Sequence, residues 1–236
     1  MKKMKYISGS ISKSLLLLLA LILAVTLSAQ EVSPEEESGR DTLRTYGPRF
    51  GVDLARIYYL FDSPQQIGAE FSADFEIYRN IYPVFELGYN NMSEEKDLFN
   101  YQSGGTYGRA GIDYNILSLK ERSAHHTITL GFRYGMSIFS HRIEDILIPH
   151  EYWGDFMTEA YENNLTGHWL ELVFGMKAEV FSNFFLGWAF RYKILLNPEM
   201  DPLMLPEMIP GYGSGGEDRV FGISYSMYYK IPLFKK

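Results

Sequence analysis

Residues 67–77 read IGAEFSADFEI, and no position breaks their alternation. Ile67, Ala69, Phe71, Ala73, Phe75 and Ile77 take the odd places, and Gly68, Glu70, Ser72, Asp74 and Glu76 the even ones. Successive side chains of a strand point to opposite faces, so the segment predicts a strand with one apolar and one acidic face. The same period of two recurs over residues 50–60, 81–90, 106–115, 126–138, 168–181, 184–196 and 219–231. In the first of these the parity slips at Ala55–Arg56, which predicts a bulge there. Pro83 predicts a strand start or another bulge in the third segment, because proline gives no ladder donor.

The connections predict a second alternation. Residues 79–80, 117–123 and 182–183 read as short turns, whereas residues 91–105, 140–167 and 197–218 read as long polar loops. Within 140–167 lie Tyr152, Trp153, Phe156 and Tyr161 among the acids Glu144, Asp145, Glu151, Asp155 and Glu159, and residues 152–161 carry a helical spacing. Short turns on one side and long loops on the other are expected of a membrane barrel, with both termini on the short-turn side.

Eight antiparallel segments without a protected edge point to closure into a barrel. A soluble lipocalin-like barrel would turn its charged face to water, and a membrane barrel would turn it inward. Volume favours the second, since about five large apolar side chains per segment overfill an eight-stranded interior. Charge agrees. The polar face carries the acids Asp53, Glu70, Asp74, Glu76, Glu86, Asp113, Glu171 and Glu179 and the bases Arg109, Arg133, Lys177, Arg191, Lys193 and Lys230. Charges withdrawn from water must be paired, and these two sets nearly balance. The expected fold is therefore all-β, an eight-stranded antiparallel up-and-down transmembrane β-barrel, with an interior charge network that plugs it. Tyr89, Tyr134, Tyr192, Tyr225 and Tyr229, near segment ends on the apolar face, suit interfacial girdles.

Residues 1–29 read as a secretory signal: Lys2, Lys3, Lys5 and Lys13 precede the apolar run 15–25, and small residues close it at Ala29. Residues 30–48 read as a flexible periplasmic lead-in and 49–236 as the barrel. Removing four lysines takes the formal charge from −7 to −11, which argues against nucleic acid as a partner. The chain has no cysteine, so it offers neither a disulfide framework nor a lipidation site.

The stretches GVDLARIYYLFDSPQQIGAEFSADFEIYRNIYPVFELGYN, YGRAGIDYNIL, FGMKAEVFSNFFLGWAFRYKILL and FGISYSMYYKIPL resemble a family of Bacteroidota outer-membrane barrel proteins with a domain of unknown function. More broadly the chain is similar to the small OmpA/OmpX-type barrels. The resemblance implies an outer-membrane location, contact with outer-membrane lipid and delivery by the barrel-assembly machinery. It implies no activity. The terminal aromatic of such barrels is matched by Phe234, here followed by Lys235 and Lys236.

Little in the chain carries chemistry. Ser140, His141 and Glu144 supply the residue types of a lipid-modifying hydrolase, but sequence neighbours in a loop seldom give triad geometry. His125–His126 lack a third ligand at zinc spacing, and His141, His150, Glu144, Asp145 and Glu151 read as a solvated loop rather than a cation site. The expectation is a non-enzymatic surface protein without cofactor or metal. It would meet an extracellular or envelope ligand through loop 140–167, with Tyr152, Trp153, Phe156 and Tyr161 as recognition candidates. A lipid-modifying enzyme and a narrow channel are the alternatives.

Overall fold

The computed structural model describes residues 45–56, 65–78, 80–96, 99–117, 126–144, 146–148, 156–158, 161–198, 200–201 and 204–235. The barrel strands are β1 (Arg49–Asp53), β2 (Gln66–Asp74), β3 (Ile81–Glu95), β4 (Asn100–Asn115), β5 (His126–Glu144), β6 (Tyr161–Phe181), β7 (Phe184–Leu195) and β8 (Arg219–Lys230). They form one closed antiparallel barrel in which each strand pairs with its sequence neighbours, and β8 closes on β1 from Ser226↔Asp53 to Lys230↔Arg49. Closure is the condition for strands in hydrocarbon; here β1 completes the ring only over Arg49–Asp53, and residues 219–225 of β8 and 66–70 of β2 lie beyond its paired length. Among the described residues no helix is long and apolar enough to cross a membrane, which bears only on helical spans.

The alternation resolves as lipid-type outside and ionic inside. Phe71 is 64% exposed, Leu87 68%, Ile223 71% and Phe221 81%, whereas Glu70, Asp74, Glu86 and Lys177 are buried within the barrel. All five tyrosines expected on the apolar face lie on it; the Tyr134 hydroxyl also meets His168 Nδ1 at 2.7 Å.

Several boundaries differ from expectation. The first strand ends at Asp53, not near residue 60; residues 54–56 make a helical turn that carries Arg56 back over the barrel mouth, so the parity slip marks a strand end and not a bulge. Residues 91–105 are mostly not loop. β3 and β4 stay paired to Glu95↔Asn100, leaving only residues 96–99 as the connection. Likewise β5 and β6 stay paired to Ile143↔Tyr161, deep into the expected loop 140–167. Backbone ladders do not need an apolar face, so strands continue beyond the greasy belt where periodicity in hydrophobicity stops. Residues 156–158 are extended and pair with residues 146–148, against the expected helix. Thr45–Tyr46 pair with Phe234–Lys235 just outside the barrel.

The two ends are unlike. Turns at Asn80 (φ 74°) and Asn183 (φ 66°) are tight, and asparagine tolerates that left-handed backbone better than most residues. At the opposite end β5 and β6, of 19 and 21 residues, far exceed the roughly 9–11 residues that cross a bilayer. The signal segment, the lead-in to residue 44, and Tyr152, Trp153, His125, His150, Asp145 and Glu151 lie outside the described residues.

Candidate functional site

The barrel interior holds two tiers. The lower is ionic. Asp74 on β2 accepts from Arg49 Nε at 2.6 Å and from Lys177 Nζ at 2.5 Å, and the Arg49 guanidinium lies 4.9 Å from the Tyr82 ring centre. Above it three carboxylates share three guanidinium groups. Glu86 meets Arg109 at 2.5 Å, Arg191 at 2.9 Å and Arg133 at 3.5 Å. Glu171 meets Arg109 at 3.0 Å and Arg191 at 2.9 Å, and accepts from Trp169 Nε1 at 2.7 Å. Glu70 accepts from Arg109 at 3.0 Å, from Arg56 at 3.2 Å and from the Tyr107 hydroxyl. Arg133 also reaches both oxygens of Asp113 at 3.0 Å. Apart from Trp169 with Glu171, both on β6, and Arg56 in the turn after β1, the bonded partners sit on different strands, and the period of two aims the strand residues at one axis. Six acids and six bases of the barrel strands are buried, so the withdrawn charge balances.

The remaining expected members sit at the rims. Asp53 lies 3.7 Å from Arg56. Glu76 accepts from the Tyr82 hydroxyl at 3.0 Å, and Glu179 from the Asn183 amide at 2.6 Å, both at the tight-turn end. Lys230 Nζ stands 5.1 Å from the Phe185 ring centre. Lys193 takes a different role: its Nζ donates to the carbonyls of Gly211 and Tyr212, each at 2.8 Å. Arg109 Nη2 donates to the same Gly211 carbonyl at 3.0 Å.

Those carbonyls belong to the upper tier, which was not expected. The connection after β7 does not protrude; it folds back into the mouth. Ile209 and Tyr212 are buried in an apolar cluster with Tyr107, Phe139, Leu165, Trp169 and Leu195. Met208–Ile209 pair with Gly213–Ser214 in a small hairpin whose tip needs Gly211 at φ +79°, where the Tyr107 ring also leaves no room for a Cβ. Ser103 Oγ donates to the Met208 carbonyl at 2.8 Å, and the Glu207 amide to the Tyr101 hydroxyl at 2.9 Å. Asp201 is buried against His141 Nε2 at 2.8 Å and accepts from Tyr161 at 2.9 Å and Asn163 at 3.1 Å. Burial pushes the Tyr212 phenol up to about 12, so it stays neutral and donates to the Glu217 carbonyl. At the outer edge Lys96 pairs with Glu207, and that hydrogen bond raises the lysine above its ordinary value.

An interior of small residues and charges was expected, yet it also takes Trp169, Tyr107, Tyr101 and Phe139. Facing glycines make the space: a Cβ at residue 135 would stand 2.2 Å from Trp169, and one at residue 88 would stand 2.2 Å from Tyr107. Arg49, Tyr107 and Trp169 share inward parity with Asp53, Arg109 and Glu171, a signal available in the sequence. Asp201, Gly211 and Tyr212 sit in a segment without periodicity and gave none.

The residues proposed for chemistry are not assembled. Ser140 and Glu144 take the outward parity of β5, while His141 points inward and is fully buried against Asp201. Among the described residues no group of three or more His, Cys, Asp or Glu is placed to hold a metal ion. Of the recognition candidates, Tyr161 is half-buried and bonded to Asp201, and Phe156 lies in the short strand 156–158.

A family model described as "Domain of unknown function (DUF6048)" matches residues 10–236. No curated protein matches the chain. Among solved structures, the attachment invasion locus protein Ail of Yersinia pestis is 10% identical at a TM-score of 0.40, covering 78% of this chain and 95% of its own. Neisserial surface protein A is 10% identical at 0.38, covering 79% and 96%. CarO of Acinetobacter baumannii is 10% identical at 0.39, covering 81% and 100%.

Proposed function

The chain belongs to the family described as Domain of unknown function (DUF6048), and we propose that it is a small outer-membrane barrel, closed to solutes, that acts non-enzymatically at the cell surface. The observation that carries the location is the outward face: exposed phenylalanine, leucine and isoleucine on every long strand, over an interior whose charges are all turned inward. Water would penalise that exterior and lipid would not. Closure into a ring is also what lets strands satisfy their backbone groups in hydrocarbon. Outer-membrane lipid and the barrel-assembly machinery are then its first partners.

Closure to solutes rests on the ionic tier and on the returned loop above it, which together occupy the lumen from Asp74 to Tyr212. Surface recognition rests on the strands that rise beyond the apolar belt and on the segment 145–160 they present, with its aromatic residues Tyr152, Trp153 and Phe156. Deleting residues 145–160 is expected to leave a folded barrel and to abolish any ligand binding. Binding that survives the deletion moves the recognition surface elsewhere. Fractionation of the envelope with a heat-modifiable gel shift tests location: the account expects a compact, faster-migrating form in the outer-membrane fraction, and a soluble periplasmic protein without that shift overturns it.

A further inference from the structure

The barrel wall is notched beside its shortest strand. β1 (Arg49–Asp53) pairs with β8 only over residues 226–230 and with β2 only over residues 71–74. Beyond it β8 continues to Arg219, paired with β7 alone, and β2 continues to Gln66, paired with β3 alone. Among the described residues no strand lies between these two edges. The notch stands at the height of the greasy belt, because Phe221 pairs with Tyr192 and Ile223 with Phe190. Phe221 and Ile223 are accordingly among the most exposed side chains of the outer wall. Backbone N–H and C=O groups left bare in hydrocarbon are costly, so the notch calls for an occupant with polar atoms of its own.

A pocket of about 130 Å³ lies in the notch, lined by Asp53, Arg56, Gln66, Asn90 and Ile223, with Ala55 and Gly68 between them. It joins inward-facing polar side chains to one that faces lipid. A Cβ at residue 68 would stand 2.8 Å from Asn90 Oδ1 and 3.3 Å from Arg56 Nη1, so the glycine makes room for both. The inner end is closed. Arg56 donates to Glu70 at 3.2 Å and lies 5.2 Å from the Tyr107 ring centre, so the pocket stops at the ionic tier and the bore stays plugged.

The lining selects its ligand. Asn90 Nδ2 and Gln66 Nε2 are turned to the sulfurs of Met208 at 3.5 Å and Met92 at 3.7 Å, which leaves both amide oxygens to accept. Arg56 meets Glu70 and Asp53 through Nε, which leaves its outer nitrogens to donate. Two carboxylates already lie on that guanidinium, so an anionic ligand would be repelled. A neutral group carrying hydroxyls donates and accepts at once, and it can also serve the bare strand edges. A water's share of volume is about 30 Å³, so the pocket takes a head of about four to six heavy atoms.

We propose that the notch is a side entrance from the membrane, and that its pocket binds the head of a single-chain lipid of the monoacylglycerol class. The glycerol hydroxyls meet Arg56, Gln66 and Asn90. The acyl chain stays outside, where Phe221 and Ile223 form one lip and Ile67 and Phe71 the other. The assignment rests on the membrane reading above.

The test is photolabelling of the full chain, folded in maltoside micelles, with a monoacylglycerol that carries a diazirine in its acyl chain. In the wild type the label is expected on residues 219–225 and 66–71. Unlabelled monoacylglycerol should compete, and the fatty acid of the same chain should not. Ala55→Leu puts an apolar branch into the pocket and is expected to lower labelling by about tenfold. Ala110→Leu, on the outward face of β4, should label as the wild type does. Undiminished labelling in Ala55→Leu, or label spread evenly over the eight strands, overturns the site. Equal competition by the fatty acid overturns the choice of head. The chain has no cysteine, so Gln66→Cys gives a clean reporter of access. In bilayers its thiol should react with a lipid-tethered maleimide and be shielded by added monoacylglycerol; a thiol that the tethered reagent cannot reach means that the wall is filled at this point, and the entrance falls. The heat-modifiable shift of the same samples separates the readings: loss of the folded barrel in the wild type sinks the membrane account, whereas a folded barrel with no preferred labelling sinks only this one.

Discussion

The two tiers inside the barrel are held together by opposite chemistry. Below, buried carboxylates and guanidinium groups from seven of the eight strands satisfy one another, and Glu86 alone meets three arginines. Above, Ile209 and Tyr212 of the returned connection complete an apolar cluster against Tyr107, Trp169 and Phe139. The lower tier is drawn from strand register, with Arg56 of the turn after β1 added to Glu70. The upper tier needs a loop that has no regular period and is held by single hydrogen bonds. Where they meet, the loop also supplies what the strands lack: the Gly211 and Tyr212 carbonyls receive Lys193, the one buried base for which the structure gives no carboxylate within ion-pair distance among the described residues. A charge network drawn from strands can therefore close on itself except at its open end, and there backbone dipoles finish the solvation.

The largest break in this contrast should come from Glu86→Ala. It takes one carboxylate from three buried guanidinium groups, which keep Glu70, Glu171 or Asp113, and removing one partner of a buried ionic set costs about 3–5 kcal/mol. The urea midpoint of the heat-modifiable form should fall accordingly; a change under about 1 kcal/mol would mean that water reaches the tier. Ile209→Ala comes next. A core truncation of this kind costs about 2–5 kcal/mol, but here it should appear locally, as faster proteolysis of residues 196–218 with the barrel midpoint unmoved. A barrel midpoint that falls in step would make the two tiers one cooperative unit. Lys193→Met should loosen the same segment by about 1.5–3 kcal/mol, the scale of hydrogen bonds to a charged donor. Deleting residues 206–215 should leave planar-bilayer current at baseline, because the ionic tier remains; discrete steps would show that the loop alone is the seal.

The smallest effect belongs to Lys96. Its raised value means that the pairing with Glu207 is complete below the ordinary lysine value of 10.5 and is lost as pH rises through the higher folded value. Lys96→Gln should therefore loosen the loop slightly at pH 7, to the extent that the wild type loosens in strong alkali. The wild-type loop should loosen only in strong alkali, and loosening between pH 6 and 8 would point to another group.

The strand faces were legible because a period of two shows wherever one face is greasy. Asp74, Glu86 and Lys177 could be aimed inward from the chain alone, and the Asn183 turn could be placed between its strands. The upper half was hidden for the same reason. Residues 91–95 and 139–144 stand in β3 and β5 although their outward side chains are polar, so no contrast marks them as strand. Tyr107 and Trp169 fit a narrow bore because Gly88 and Gly135 face them, a pairing across strands that the period of two does not reveal. Asp201, which gathers His141, Tyr161 and Asn163, lies some forty to sixty positions from its partners in a proline-rich connection, and only the tertiary fold brings them together.

The central claim is that the greasy face touches lipid while the ionic and apolar tiers fill the bore. Tryptophan offers one reporter on each side, since Trp188 stands on the outer wall and Trp169 is fully buried within. In bilayers of acyl-brominated lipid, a variant keeping only Trp188 should lose most of its fluorescence, and one keeping only Trp169 should lose little. Equal quenching of the two, or stronger quenching of Trp169, would contradict the account.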